Sequence, residues 1–289
     1  MSERSSDPIE YAAQPPNLSL QTSGAALGAI IVVALGSVYY FYSRGLSNLY
    51  GDGLAHVEGA RRLFDSLTPG YAEIGSAWLP LYHILASPLA LNTYLWRTGL
   101  AGTLISAAAF VVTAWFLFRL SFELNRNVFA AILSLVIFCF CPSMAYLASA
   151  PLTEPLTLMW TVLVVFGLFR FQQSGKGGAL IGAALAAFFG TLTRYDGWYL
   201  LPFAAAFVFW ARTENWRLRF RRAAIFLAAC SIPEIEKIGI SNGYALGGHY
   251  LPHSRKVIPE SSAFSPQTFV IASRDHNRDR LAVPGYFDP

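Results

Sequence analysis

Long stretches without a charged residue alternate with short polar connections along this chain, and their spacing predicts helices that cross a bilayer. Between successive charges lie 33 residues from Tyr11 to Ser43, 21 from Thr98 to Phe118 and 27 from Asn127 to Thr153. Shorter runs follow at Pro155–Phe169 (15), Gly177–Thr193 (17), Gly197–Ala211 (15) and Ala223–Pro233 (11). A helix needs about 20 apolar residues to cross about 30 Å of hydrocarbon. Runs of 15 suffice if flanking charges snorkel to the interface or face a wet cavity. The pattern predicts six spans, with a seventh, Ala223–Ile232, incomplete. The first span reads as a retained helix rather than a cleaved signal. Its leader carries Glu3, Asp7 and Glu10 against Arg4, and it ends in the aromatic run Tyr39–Tyr42, suited to the headgroup level.

The connection from Arg44 to Arg97 is too long and too patterned to be a linker, and loops of that length are usually functional. It opens Asn48-Leu49-Tyr50-Gly51-Asp52-Gly53, a carboxylate between turn-forming glycines. Leu54, Val57, Ala60, Phe64 and Leu67 then recur at threes and fours, which predicts an amphipathic helix on the membrane surface ending at Pro69-Gly70. His56 follows Asp52 by four residues, so both project from one helical side. Trp78-Leu79-Pro80-Leu81-Tyr82-His83 begins a second apolar element. With Pro80 and Pro88 it is expected to lie in the interface or to dip in and return.

Composition agrees. Of 289 residues, 54% are hydrophobic and only 13% charged, with a mean hydropathy of +0.43. Such a chain cannot cover its surface with polar groups, which excludes a typical soluble enzyme, a disordered chain and a disulfide scaffold. The net charge of +4 sits in connections between apolar runs, a topology pattern rather than a nucleic-acid footprint, so no nucleic-acid partner is expected. Connections on the N-terminal side carry ten Lys and Arg against five opposite, which puts the N-terminus in the cytoplasm and the 44–97 loop outside. The Arg217–Arg222 cluster reads as a topology signal, with an anionic-lipid site as the alternative. Cys139, Cys141 and Cys230 lie in apolar runs and read as buried small hydrophobes, with no disulfide or CxxC metal pattern.

Two further polar features share the external side. Glu154, in Pro151-Leu152-Thr153-Glu154-Pro155, stands at the end of the fourth span; Arg194 and Asp196, in Thr193-Arg194-Tyr195-Asp196-Gly197-Trp198, stand between the fifth and sixth. Ionisable groups at that depth mark a polar cavity. Asp52, His56, His83, Glu154, Arg194 and Asp196 together suit a phosphate whose tail stays in lipid. Arg grips the phosphate bidentately, and a carboxylate takes a proton from an incoming hydroxyl. Purely structural roles are open for each: Asp52 as an N-cap, Glu154 as a helix-end charge, Arg194 and Asp196 as a local ion pair. Trp78, Trp96 and Trp198 read as interface anchors, and Gly99–Gly102 and Gly178–Gly182 as sites of close helix packing.

Taken in order, these pieces resemble the GT-C superfamily of polytopic glycosyltransferases, specifically the family 39, dolichyl-phosphate-mannose-protein mannosyltransferase-like group. The matching segments are Tyr50-Gly51-Asp52, the helix His56–Leu67 running into Thr68-Pro69-Gly70, Trp78–His83, Leu152–Leu156 and Leu192–Trp198. The resemblance covers roughly residues 24–232. It implies an all-α, polytopic transmembrane bundle with amphipathic helices in a long external loop, multi-pass in the plasma (inner) membrane. It also implies transfer of a sugar from a polyprenyl-phosphate donor to a hydroxyl of a protein, glycan or lipid acceptor. Asp52 takes the general-base position, His56, His83, Glu154 and Asp196 are substrate-side candidates, and Arg194 is the candidate for the lipid phosphate. Many members carry two adjacent acids where Gly53 follows Asp52 here. A divalent metal, the candidate cofactor, would draw ligands from Asp52, His56, Glu73 and His83.

Three segments follow: a cytoplasmic tail (1–23), the GT-C-like transmembrane domain (24–232) and a polar tail (233–289). The last holds 12 charges in 57 residues against 26 in the preceding 232, and the change falls inside the incomplete seventh span. That break predicts a frameshifted or disordered end, and makes a truncated, non-catalytic remnant one alternative. A lipid or small-molecule transporter is another.

Overall fold

A computed structural model describes residues 18–67, 69–74, 78–211, 215–228 and 230, and among them every regular element is helical. The tail 233–289, and with it the expected frame change, lies outside the described residues. Helix α1 (Leu20–Ser43) starts where Ser19 accepts the Thr22 amide, a hydroxyl satisfying one of the free N–H groups of the first turn. The loop region holds α2 (Gly51–Arg62), a 3₁₀ turn (Tyr71–Ile74), α3 (Pro80–Ala90) and α4 (Thr93–Arg97). Then come α5 (Leu100–Asn125), α6 (Val128–Cys139), α7 (Pro142–Ala148), α8 (Glu154–Ser174), α9 (Gly177–Thr191) and α10 (Asp196–Trp210). A further helix, α11, occupies 216–228.

By length and composition α1, α5 and α8, of 24, 26 and 21 residues, can cross a membrane. At 1.5 Å per residue even the shortest reaches about 32 Å. The expected third span is broken: α6 and α7 meet at a 68° bend. Proline disfavours helix in the residue before it, and Pro142 stands at the break. Helices α9 and α10 hold 15 residues each, about 22 Å, less than the hydrocarbon depth. Among the described residues, three full-length candidates, or four with the bent pair as one span, thus stand beside the six expected. Residues 223–228 of the seventh run belong to α11, and the end of that run lies outside the described residues.

Three clusters hold the helices together. Ile30 and Ala34 of α1 pack with Phe110, Phe118 and Phe122 of α5 and Leu135 of α6. Val57, Ala60, Tyr82 and Ala86 of the loop helices pack on Ala101 and Ala109 of α5 and Leu156 of α8. Val164 and Leu168 of α8 pack with α9, α10 and Phe226 of α11. Helices α5 and α8 belong to two clusters each. The buried side of α5 is built from small residues, among them Ala101, Gly102, Thr103, Ser106 and Ala109. Small side chains let backbones approach where lipid tails supply no hydrophobic drive between helices. At the far end Arg170 of α8 donates to Glu123 of α5 at 3.0 Å, and Glu123 is buried. The outside is apolar: Val32 is 70% exposed, Phe129 72% and Phe203 74%. A soluble protein rarely leaves so much large apolar surface open, whereas lipid covers it at no cost.

Two expectations for the loop and the glycines change. The apolar stripe of α2 stops at Ala60, because the helix ends at Arg62 and both Phe64 and Leu67 are exposed. Beyond the last turn, helical spacing no longer carries these side chains to the core. Gly178 and Gly182 have no neighbour near an added Cβ; around α9 the close approaches are instead those of Gly167 on Ala183 and Gly197 on Gly190. The Gly99–Gly102 expectation holds better. Gly99 takes φ of 75° to begin α5, and a Cβ on Gly102 would stand 2.6 Å from Pro151 and 3.0 Å from Val57. Cys139, Cys141 and Cys230 form no disulfide.

A Cβ on Gly197 would lie 2.5 Å from the Gly190 carbonyl oxygen and 3.1 Å from the Thr191 nitrogen, backbone atoms that cannot turn aside. Gly197→Ala is expected to cost about 1–3 kcal/mol, as overpacking does, while Gly178→Ala, which meets nothing, costs no stability. Thermal unfolding of both variants in detergent, against the unsubstituted chain, measures the contrast.

Candidate functional site

The turn structure that makes Gly197 necessary also aims Arg194. Helix α9 ends at Thr191, α10 begins at Asp196, and the chain reverses across Thr193-Arg194-Tyr195. Arg194 Nη1 donates to Thr153 Oγ1 at 2.9 Å and Glu154 Oε1 at 3.0 Å, while Nε donates to Asp196 Oδ2 at 3.1 Å. Glu154 opens α8 with Thr153 as N-cap, so its carboxylate also lies near the positive end of that helix. Trp198 closes the turn by donating to the Thr191 carbonyl at 3.1 Å.

The loop helices bring the second half. Asp52 sits in the first turn of α2, where a carboxylate is favoured; the N-cap is Tyr50, not Asp52. One turn on, His56 Nε2 faces Asp52 Oδ2 at 3.3 Å, as the spacing predicts. His56 Nδ1 meets His83 Nε2 at 3.1 Å, and His83 Nδ1 meets the Leu79 carbonyl at 3.0 Å. Both imidazoles are buried, with Trp78 4.8 Å and Tyr82 5.4 Å from His56 between ring centres. The Asp52 side chain is 53% exposed, so the buried pair ends in an open carboxylate.

The two halves share one end of the bundle. Gly53 of α2 rests on Pro151, two residues before Thr153, and the Leu81 amide donates to the Leu192 carbonyl at 3.0 Å, two residues before Arg194. His56 is close enough to Glu154 and Arg194 for both to act on its charge. All six sequence candidates therefore gather, as the Asp52–His56–His83 chain beside the Glu154–Arg194–Asp196 cluster. Glu154 also borders an apolar cavity of about 220 Å³ bounded by Phe110, Phe138, Met144 and Leu147, and its Oε2 is buried without a hydrogen-bond partner.

The divalent metal does not fit these residues. Among the described residues no three His, Cys, Asp or Glu side chains form a metal-holding group. The imidazole nitrogens that would serve as ligands face each other, Asp52 and a carbonyl. Glu73 lies on the 3₁₀ turn and joins no such group. Sequence reasoning missed Thr153, a second anchor for Arg194, and the Trp78 and Tyr82 rings that seal His56. It also missed Glu58, which accepts from Trp96 at 3.0 Å and so makes that tryptophan a tie between α2 and α4. The Glu58-x-x-x-Arg62 spacing was its one visible signal, and the two do pair at 2.9 Å. The chain matches no protein-family model, no curated protein and no solved structure, and the chemistry of the site rests on this geometry.

Burial pulls the His56 imidazole below its usual value near 6.5, with Asp52 and Glu154 pulling it back up and Arg194 adding to the fall. The folded state therefore binds this proton less readily than the unfolded one, and stability is lost as pH drops below 6.5, levelling off under the folded value. Melting temperatures in detergent, taken from about pH 8 down to about pH 5, are expected to fall more steeply for the unsubstituted chain than for His56→Gln.

Proposed function

We infer that the chain is a membrane glycosyltransferase of the GT-C kind, moving a sugar from a polyprenyl-phosphate donor to an acceptor hydroxyl at the external face. The observation that carries this reading is that an open carboxylate, Asp52, and a guanidinium, Arg194, both act on the same buried imidazole, His56, at one end of an apolar helical bundle. A sugar transfer of this type needs a proton acceptor for the nucleophile and a cation for the phosphate that leaves.

Asp52 takes the hydroxyl proton as the acceptor oxygen attacks the anomeric carbon, and the bond from that carbon to the phosphate oxygen breaks. Arg194 meets the charge that develops on the phosphate. Its Nε and Nη1 are already engaged, so a bidentate grip requires one partner to yield. Asp196 is the one to yield, because its side chain is 64% exposed and water replaces Arg194 there. Thr153 and Glu154 keep the guanidinium aimed. The cavity beside Glu154 and the open apolar faces of α1 and α6 suit the lipid part of such a donor. No step runs through a metal.

The N-terminus is cytoplasmic in this reading, with the site outside and the plasma (inner) membrane around the bundle. A lipid or small-molecule transporter is the competing reading. Transporters hold their ionisable groups near the midplane, at interrupted helices; here the charged residues of α5, α8 and α10 stand toward helix ends, which favours the transferase.

Purified protein given radiolabelled polyprenyl-phosphate sugars and an acceptor extract is expected to transfer label, and Asp52→Asn to lower the rate by at least about 10²-fold. Equal transfer by both would remove Asp52 from the reaction.

A further inference from the structure

The Asp52–His56–His83 chain ends in an acceptor on each side: the Asp52 carboxylate at one end and the Leu79 carbonyl at the other. Three polar gaps lie between them, of 3.3, 3.1 and 3.0 Å. Two neutral imidazoles carry one N–H each, so only two of the three gaps can hold a hydrogen. One gap is left with two acceptors face to face.

Burial decides which. The His56–His83 gap and the His83–Leu79 gap are closed off from solvent, with His56 3% and His83 0% exposed. An unmet acceptor there has no water to turn to. The Asp52 side chain is 53% exposed, and its gap is the longest of the three. The hydrogen is therefore missing between Asp52 and His56. The order follows link by link. A bare lone pair on His83 Nδ1 would face the Leu79 carbonyl oxygen across a buried 3.0 Å gap, so the hydrogen sits on Nδ1, which leaves His83 Nε2 as an acceptor. That acceptor requires His56 Nδ1–H, which leaves the His56 Nε2 lone pair aimed at Asp52.

We propose that His56 and His83 are positioning residues that set Asp52 Oδ2 and His56 Nε2 as a pair of facing acceptors, poised to share one incoming proton. The tautomers rest on geometry alone; the origin of the proton rests on the transferase reading above. In that reaction the acceptor O–H bond breaks and its proton passes to Asp52 and is shared with His56 Nε2. The oxygen electron pair forms the bond to the anomeric carbon, and the bond to phosphate breaks with its electrons on the phosphate oxygen. Taking up the proton completes the third hydrogen bond of the chain, so the site gains an interaction as the nucleophile is made.

The groups facing His56 come from four elements. Asp52 of α2 and Glu154 of α8 favour the proton, Arg194 between α9 and α10 opposes it, and His83 of α3 sets the tautomer. Burial, with Trp78 and Tyr82 against the ring, keeps the imidazole neutral at rest. A donor phosphate that engages Arg194 cancels the one opposing charge and makes the pair a better proton acceptor, which couples donor binding to base strength.

The test is nitrogen NMR of the full chain labelled with ¹⁵N-histidine in detergent micelles at neutral pH. His56 and His83 are assigned from His56→Gln and His83→Gln. Both are expected as Nδ1–H tautomers, the reverse of the preference of free imidazole in water. A His56 carrying its hydrogen on Nε2 at neutral pH overturns the proposal, whatever the activity.

His83→Leu removes the acceptor for His56 Nδ1–H. It is expected to return His56 to the Nε2–H form, lower transfer about 10-fold and move the pH profile. His83→Gln keeps an oxygen at that place and is expected to retain the Nδ1–H tautomer. Loss of that tautomer in His83→Gln, or an unchanged His56 signal in His83→Leu, overturns the assignment; the glutamine variant decides alone if the leucine variant does not fold. The predicted tautomers in a protein that transfers no sugar would leave this proton arrangement standing and sink the transferase reading instead.

Discussion

Polar groups at the mouth of an apolar bundle have few partners except one another, and that scarcity organises this protein. Arg194 reaches Thr153 and Glu154 at the start of α8 and Asp196 at the start of α10, polar groups set beside an apolar core. The same constraint joins His56 to His83 and both to Asp52 and the Leu79 carbonyl. Each charge or imidazole is held in place by the cost of leaving its partner unmet.

The fold serves that end of the bundle. The short helices α9 and α10 turn at Arg194, and Gly197 on Gly190 lets the turn close. Across the site α2 and α3 lie on α5, with Gly102 admitting Val57 and Pro151 close to the α5 backbone. The loop is thus packed into the core as firmly as the long helices: Val57, Ala60, Tyr82 and Ala86 are all buried. An ion pair, Glu123 with Arg170, ties α5 to α8 at the opposite end, and apolar contacts join the two helices along their length.

The chemical consequence is a division of labour between an exposed acid and a buried pair. Asp52 is open to the surroundings, and the histidines behind it are not. A lone exposed aspartate is an ordinary carboxylate, but one backed by a directed imidazole lone pair has a second place to put a proton. Arg194 stands in a similar relation to its surroundings: Thr153 and Glu154 hold it on one side, and the more exposed Asp196 holds it on the other.

What the sequence by itself determined is the part governed by local chemistry. Charge-free runs define the apolar helices, because a stretch without charges is free to lie in lipid. The four-residue spacing of Asp52 and His56 predicts their contact, because helical geometry is local. The order of Glu154, Arg194 and Asp196 marks helix ends where ions tolerate the interface. The tertiary structure decided the rest. It made α6 and α7 two helices bent by 68° at Pro142, and left α9 and α10 short of a full crossing. It placed Phe64 and Leu67 outside a stripe that spacing alone had continued. It also set His83 against His56, 27 residues apart, at hydrogen-bond distance, and Thr153 against Arg194 across 41 residues. Those pairings depend on how α3 lies on α2 and α9 on α8, which is packing between distant segments and carries no periodic signal along the chain.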